Sequence, residues 1–162
     1  QPHDVGFDST ISKKIGKGKH PSYEIKLTED FSANLYLVSM GNPHGVCWEA
    51  IDENLRLNKI FEMINATKAF SNDVNIEFCK KENKKALSLR VFERGVGETE
   101  ACGSGACAAV VSGILNGFLA ANEQIEVKMR RGSLFVKWDG DLMSPVLLSG
   151  PATTVFDGEI YV

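Results

Sequence analysis

The order of hydrophobic and polar residues predicts a chain of short strands interrupted by two helices. Short segments that are continuously apolar, or that alternate apolar and polar residues, are typical of strands when turn-forming residues bound them. Such segments lie at Tyr23–Leu27, Leu35–Val38, Val46–Trp48, Val74–Phe78, Leu87–Phe92, Ile125–Met129, Phe135–Trp138, Val146–Leu148 and Val155–Val162.

Two further segments have the pattern of helices. Leu57, Ile60 and Ile64 recur at helical spacing with charged residues between them, which predicts an amphipathic helix over residues 53–65. Residues 106–119 are apolar on every face, and a helix of that kind is buried. We therefore predict a single α+β domain over residues 1–162, with an antiparallel sheet wrapped around one buried helix. Residues 1–20 are polar and form an N-terminal segment, and residues 21–162 form the core.

Composition and charge narrow the class of protein. A length of 162 residues with 43% hydrophobic residues fits one ordinary folded domain. The net charge of −3 disfavours nucleic acid as a partner. Four cysteines suit a reducing compartment, which predicts a cytoplasmic protein. The longest apolar stretch is interrupted by several glycines and polar residues, and the N-terminus lacks a signal-peptide pattern, so no membrane association is expected.

The segment 90–107 carries the most chemistry. A strand ends in Glu93-Arg94, a glycine-rich loop follows, and Cys102 stands before Gly103-Ser104-Gly105 at the mouth of the buried helix. The first N–H groups of a helix have no internal partner, so they attract anions and favour a thiolate. An arginine such as Arg94 can bind a carboxylate through two hydrogen bonds. Together these features predict a site for a small carboxylate beside an activated sulfur.

Simpler interpretations stand beside this one. Gly-Ser-Gly before a helix is often only a tight turn, and Glu93-Arg94 is also compatible with a surface ion pair. The other cysteines are expected to pack in the core, namely Cys47, Cys79 and Cys107. Cysteine spacing does not match a structural zinc site, and the glycine runs match neither a dinucleotide fingerprint nor a phosphate loop. These patterns therefore predict no structural metal and no nucleotide-binding loop.

Four motifs resemble those of the diaminopimelate epimerases and occur in the same order. They are Ser39–His44, Asn75–Phe78, Glu93–Ala108 and Gly150–Ile160. The resemblance implies a cofactor-free, PLP-independent isomerase that interconverts LL- and meso-diaminopimelate for lysine and peptidoglycan synthesis. It also implies two similar halves, each a β-barrel-like sheet around a central helix, with the site in the cleft between them.

The resemblance further implies roles for individual residues. Cys102 matches one of two catalytic cysteines, and His44 and Glu93 match residues that tune the thiols. The substrate contacts implied by the resemblance are Asn42, Asn75, Glu93, Arg94, Gly103 and Ser104.

One element of the family is missing from this sequence. The other catalytic cysteine follows an Asn-Gly pair, whereas Asn116-Gly117 is followed here by Phe118-Leu119. The chain is therefore expected to be the C-terminal half of the enzyme, inactive alone, with the N-terminal half as its partner. The alternative is a non-catalytic module used for binding or dimerisation. Exposed apolar residues near the C-terminus would also favour a homodimer, with Val155, Phe156, Ile160 and Val162 as candidates.

Overall fold

The fold is one mixed β-sheet with a helix on each face. A computed structural model describes residues 12–15, 20, 22–48, 57–70 and 73–161. Within those ranges the elements are β1 (Ser12–Ile15), β2 (Ser22–Lys26), β3 (Ser32–Ser39), β4 (Pro43–Cys47), α1 (Leu57–Ala66), β5 (Asn75–Asn83), β6 (Ala86–Glu93), β7 (Gly97–Thr99), α2 (Gly103–Leu115), β8 (Gln124–Met129), β9 (Gly132–Lys137) and β10 (Leu147–Ser149).

The strands are joined in the order β1-β2-β3-β4-β5-β6-β8-β9-β10, and β7 pairs with β6 beside that path. The pairs β4–β5 and β6–β8 are parallel, and the other pairs are antiparallel. Parallel neighbours need a long crossover connection, and each of these two connections contains one of the helices. The α+β class is thus confirmed, but the prediction of a purely antiparallel sheet is wrong. The path of described strands ends at β1 and β10, so closure into a barrel is not found.

Alternation along the strands places the two helices on opposite faces of the sheet. In β6, Val91 packs in the cluster that contains α2, and Phe92 packs in the cluster that contains α1. In β5, Cys79 packs in the cluster that contains α2, and Phe78 packs in the cluster that contains α1. Successive side chains of a strand point to opposite faces, so both faces of these strands must be apolar. This explains why apolar side chains occupy successive positions in these strands, as in Phe78–Cys79 and Val91–Phe92.

The buried helix α2 begins and ends earlier than the predicted residues 106–119. The Cys102 side chain caps its start by accepting a hydrogen bond from the Gly105 N–H. Its end is fixed by Gly117, whose φ is +71°, and by hydrogen bonds from Gly117 N–H to the Ile114 carbonyl and from Phe118 N–H to the Gly113 carbonyl. This is a Schellman ending, which glycine adopts without strain. Every residue from 105 to 113 is buried, as the apolar pattern predicted.

Three other local predictions differ from the structure. β1 lies within residues 1–20, where no strand was predicted, and β7 lies in the glycine-rich loop. The predicted strand over 155–162 does not form, since residues 155–161 have no regular structure and are exposed. Residues 53–56 of the first predicted helix, and residue 162, lie outside the described ranges. None of the described helices has the length and apolar character needed to cross a bilayer.

Candidate active site

The topology brings the predicted site residues to one end of the sheet. β4 begins at Pro43 and its parallel neighbour β5 begins at Asn75, so both starts lie at the same end. The antiparallel strand β6 ends there at Glu93. The direction and register of the strands therefore make residues distant in sequence neighbours.

Cys102 stands at the start of α2 in an extended conformation, with φ −144° and ψ 113°. Its Sγ accepts a hydrogen bond from the Gly105 N–H at 3.4 Å and lies 3.4 Å from the Ser104 Oγ. The first conventional hydrogen bond of the helix follows at once, from the Ala106 N–H to the Cys102 carbonyl at 2.9 Å. A thiolate at this position is stabilised by the N–H group and by the positive end of the helix dipole. The thiol is half-buried.

The other three cysteines are buried, as predicted. Burial raises the pKa of the Cys79 thiol well above its ordinary value, and the neighbouring Glu77 adds to that effect. Burial also raises the pKa of the Cys107 thiol, with a smaller contribution from Cys102. Because thiolates are the reactive form, these environments disfavour reaction at Cys79 and Cys107.

His44 lies at the centre of a buried chain of hydrogen bonds. Its Nδ1 is 2.7 Å from the Glu77 Oε1, and its Nε2 is 3.1 Å from the Asn42 Oδ1. His44 and Glu77 are both fully buried. Loss of solvation raises the pKa of Glu77, His44 opposes that rise, and the nearby Glu93 carboxylate adds to it.

Asn75, Glu93 and Arg94 meet where β6 turns toward β7. The Asn75 Oδ1 accepts a hydrogen bond from the Arg94 backbone N–H at 3.0 Å. The Thr99 hydroxyl donates to the Glu93 Oε1 at 2.6 Å. The Arg94 side chain is exposed, and among the described residues it forms no ion pair with Glu93. The described residues therefore show no Glu93–Arg94 ion pair, and the carboxylate-binding role of Arg94 stays a prediction.

Gly103 and Ser104 form the first turn of α2 beside the thiol. A Cβ atom on Gly103 would lie 3.0 Å from the Leu148 side chain, which shows how closely this turn is covered. A Cβ atom on Gly105 would lie 3.0 Å from the Glu77 Oε1 and 3.4 Å from the Cys102 Sγ. The buried carboxyl and the thiol therefore both limit the space for a side chain at position 105.

Glu77 and Thr99 are the residues of this region that sequence reasoning missed. Glu77 had a signal, because a glutamate in the middle of an apolar strand is rarely buried without a partner. Thr99 had none, since its contact with Glu93 depends on the pairing of β7 with β6.

The described residues contain no group of three or more metal-binding side chains. A cavity of about 170 Å³ is lined by residues such as Val38, Val111 and Trp138, and no candidate site residue lines it. The candidate site residues lie at one end of the sheet and range from fully buried, as in His44, to exposed, as in Arg94. The thiol of Cys102, the first N–H groups of α2 and the guanidinium of Arg94 are the groups that we predict to bind a small carboxylate and exchange a proton with it.

Comparison with known proteins identifies the family of this chain. The sequence model of the family described as diaminopimelate epimerase matches residues 36–155. The chain belongs to the diaminopimelate epimerase family. It is 49% identical over 161 residues to the diaminopimelate epimerase of Herminiimonas arsenicoxydans, and 40% identical over 163 residues to that of Acidovorax ebreus.

These two alignments include 98% and 99% of this chain but only 55% of each relative. The chain thus spans about half the length of the diaminopimelate epimerases it matches. A crystal structure of a probable proline racemase from Agrobacterium radiobacter K84 with bound carbonate has a similar fold, with a TM-score of 0.52 and 15% identity over 78% of this chain and 42% of that one. The family resemblance seen in the motifs is therefore confirmed.

Proposed function

We propose that this chain is the C-terminal half of a cytoplasmic, cofactor-free diaminopimelate epimerase that interconverts LL- and meso-diaminopimelate. Membership of the family supports the reaction class. The position of Cys102 carries the argument from geometry, because its half-buried sulfur lies at the start of a buried helix and accepts the Gly105 N–H. This arrangement favours a thiolate that can act as a base.

The reaction inverts one carbon centre by removing a proton from one face and delivering another proton to the opposite face. A thiolate removes the α-proton on one face, forming an S–H bond while the C–H electron pair stays on carbon. A thiol on the opposite face then donates its proton to that carbon, and the reverse reaction uses the same two sulfurs with their protonation exchanged. Cys102 supplies one sulfur, and the other half of the enzyme supplies the second.

The remaining site residues bind and orient the substrate. Arg94 has the planar group that binds a carboxylate through two hydrogen bonds. The N–H groups around Gly103 and Ser104 favour negative charge, including charge that develops at the substrate carboxylate as the α-proton leaves. Asn42, Asn75 and Glu93 offer polar groups to the ammonium and carboxylate groups, while His44 and Glu93 tune the thiols.

Exposed apolar residues supply a surface for the other half. Val155, Phe156, Ile160 and Tyr161 each have more than 80% of their surface exposed, and Leu147 and Met143 are also exposed. Large apolar patches of this kind mark interaction surfaces. We expect the other half of the enzyme to cover this patch, and a homodimer of the isolated chain is the competing outcome.

A fusion protein tests the proposal. The part of the Herminiimonas arsenicoxydans enzyme that this chain does not match is fused to this chain, and interconversion of the two stereoisomers is measured. We expect activity in the fusion and none in the chain alone, because one thiol cannot serve both faces of the carbon. A folded but inactive fusion, beside an active parent enzyme, would favour the non-catalytic binding module.

A further inference from the structure

The buried carboxyl of Glu77 has no assigned role, although it is the least expected side chain in the core. Its strand neighbours Ile76 and Phe78 are apolar and buried, and Glu77 is fully buried with them. One oxygen, Oε1, lies 2.7 Å from the His44 Nδ1, whereas Oε2 is buried without a hydrogen bond in the part of the chain that the structure describes. An apolar residue would often make such a position at least as stable, so stability alone does not explain the carboxyl.

The two contacts of His44 restrict where its protons lie. The Asn42 Oδ1 is an acceptor only, so the 3.1 Å contact requires a proton on the His44 Nε2. The 2.7 Å contact then holds one more proton, either on the His44 Nδ1 beside a carboxylate or on the Glu77 carboxyl beside an unprotonated Nδ1. Both arrangements contain the same two protons and leave the pair neutral overall.

The same chain of contacts orients the Asn42 amide. With its Oδ1 facing His44, the Asn42 Nδ2 makes no hydrogen bond to any other residue that the structure describes, and Asn42 is only partly buried. The Nδ2 group therefore remains available as a donor toward a ligand carboxylate. If His44 lost its Nε2 proton, the Asn42 amide would have to turn its NH2 group toward His44. Its oxygen would then face the ligand carboxylate in place of a donor.

We propose that Glu77 is a positioning residue that acts through His44: it shares one proton with the His44 Nδ1, which keeps the Nε2 protonated and turns the Asn42 NH2 group toward the substrate. This role rests on the proposed function insofar as Asn42 binds the substrate. Glu77 itself contacts no substrate in this account.

Nuclear magnetic resonance of the isolated, nitrogen-15-labelled chain tests the proton positions without any activity. The chain has three histidines, so the ring signals of His44 can be assigned by comparison with His44→Gln. We expect a protonated Nε2 and a strongly deshielded proton between Nδ1 and Glu77. An unprotonated Nε2 in the wild-type chain, or the absence of the deshielded proton, would overturn the proposal.

Three variants separate positioning from a general structural effect. In Glu77→Gln the deshielded proton should disappear, while the amide donates to Nδ1 and keeps the Nε2 proton. In Glu77→Leu the signals of the His44 ring and the Asn42 NH2 group should both change. The matched control is Glu82→Gln, which alters an exposed carboxyl of the same strand and should leave these signals unchanged.

Kinetics of the fusion enzyme provide a second measurement. We expect Glu77→Leu to raise KM about three- to tenfold, the size of one neutral hydrogen bond, with kcat much less affected. Glu77→Gln should restore KM to near the wild-type value. Wild-type resonance signals together with a wild-type KM in Glu77→Leu would overturn the positioning role. If Glu77→Leu does not fold, the test is Glu77→Gln, and a deshielded proton that persists in that variant would overturn the role. An inactive fusion would contradict the proposed function but leave the resonance result for Glu77 intact.

Discussion

Substitution of Gly105 tests whether the packing of the first turn of α2 controls the reactivity of Cys102. A Cβ atom there would lie 3.0 Å from the Glu77 Oε1 and 3.4 Å from the Cys102 Sγ. The Glu77 oxygen cannot retreat easily, because it is held 2.7 Å from the His44 Nδ1. Gly105→Ala should therefore move the first turn of the helix and lengthen the hydrogen bond from its own N–H to the thiol.

Two opposing effects determine the stability of this variant. Replacing glycine by alanine inside a helix gains about 1 kcal/mol. Overpacking a core typically costs about 1–3 kcal/mol, and the lower end applies here because the closest contact is only a few tenths of an ångström too short. We expect the free energy of unfolding to fall by about 0–1 kcal/mol, so the protein stays folded.

The thiol should respond more clearly than the stability. Alkylation of Cys102 at neutral pH, followed by peptide mapping, should be about threefold slower in Gly105→Ala, since a weakened hydrogen bond to the thiolate is worth about 0.5–1 kcal/mol. The comparison variant is Gly113→Ala, whose Cβ would lie 2.5 Å from Leu119 and 2.9 Å from Trp48. It should lose about 1–2 kcal/mol of stability by overpacking while Cys102 reacts at the wild-type rate.

A specific result would refute this reasoning. If Gly105→Ala gains about 1 kcal/mol in urea denaturation and Cys102 reacts as fast as in the wild type, only helix propensity is acting. The first turn of α2 would then accommodate a methyl group at position 105 without moving. The inference that packing against Glu77 controls the hydrogen bond from Gly105 to Cys102 would be refuted.

Two further predictions concern charged side chains. Arg94→Lys in the fusion enzyme should lower kcat/KM at least about tenfold, or ~1.4 kcal/mol, because lysine lacks the planar guanidinium that binds a carboxylate through two hydrogen bonds. Unchanged steady-state kinetics would show that Arg94 does not bind the substrate. The Arg90 guanidinium, which binds Glu98 at 2.7 and 2.9 Å, lowers the pKa of Glu98 below its ordinary value of 4.5. This pair should contribute about 0.5–1 kcal/mol at neutral pH, since both side chains are partly exposed. A depressed carboxyl pKa gives stability that is present above the unfolded value and lost as the pH falls through the folded value. The stability difference between the wild type and Glu98→Gln should therefore shrink below pH 4.5, and a constant difference in denaturation from pH 7 to pH 2 would contradict it.

Local patterns predicted most of the elements but not how they pair. The buried helix α2 was visible because its residues are apolar on every face, and β6 was visible because Leu87, Leu89 and Val91 alternate with other residues. The parallel pairs could not be predicted, because the direction of a neighbouring strand depends on the crossover between them. Apolar residues over 155–161 suggested a strand, but among the described residues no partner strand pairs with them.

The candidate site was predicted only in part, because local patterns indicate single residues but not the contacts that strand pairing creates. The position of Cys102 at the helix start followed from glycines on both sides of Ser104, although cysteine is an unusual capping residue. The end of α2 carried a sequence signal in Asn116-Gly117, which the apolar residues beyond it obscured. The contact between His44 and Glu77 joins residues 33 positions apart, so it depends on the register of β4 and β5.

The central claim is that Cys102 exchanges the α-proton of the substrate. The most direct measurement uses the fusion enzyme in deuterium oxide, following both stereoisomer interconversion and deuterium incorporation at the α-carbon. Cys102→Ala should abolish interconversion, because the acid or base on one face is lost, whereas Cys107→Ala, which alters a buried thiol in the same helix, should keep it. Interconversion that continues at the wild-type rate in Cys102→Ala would contradict the account.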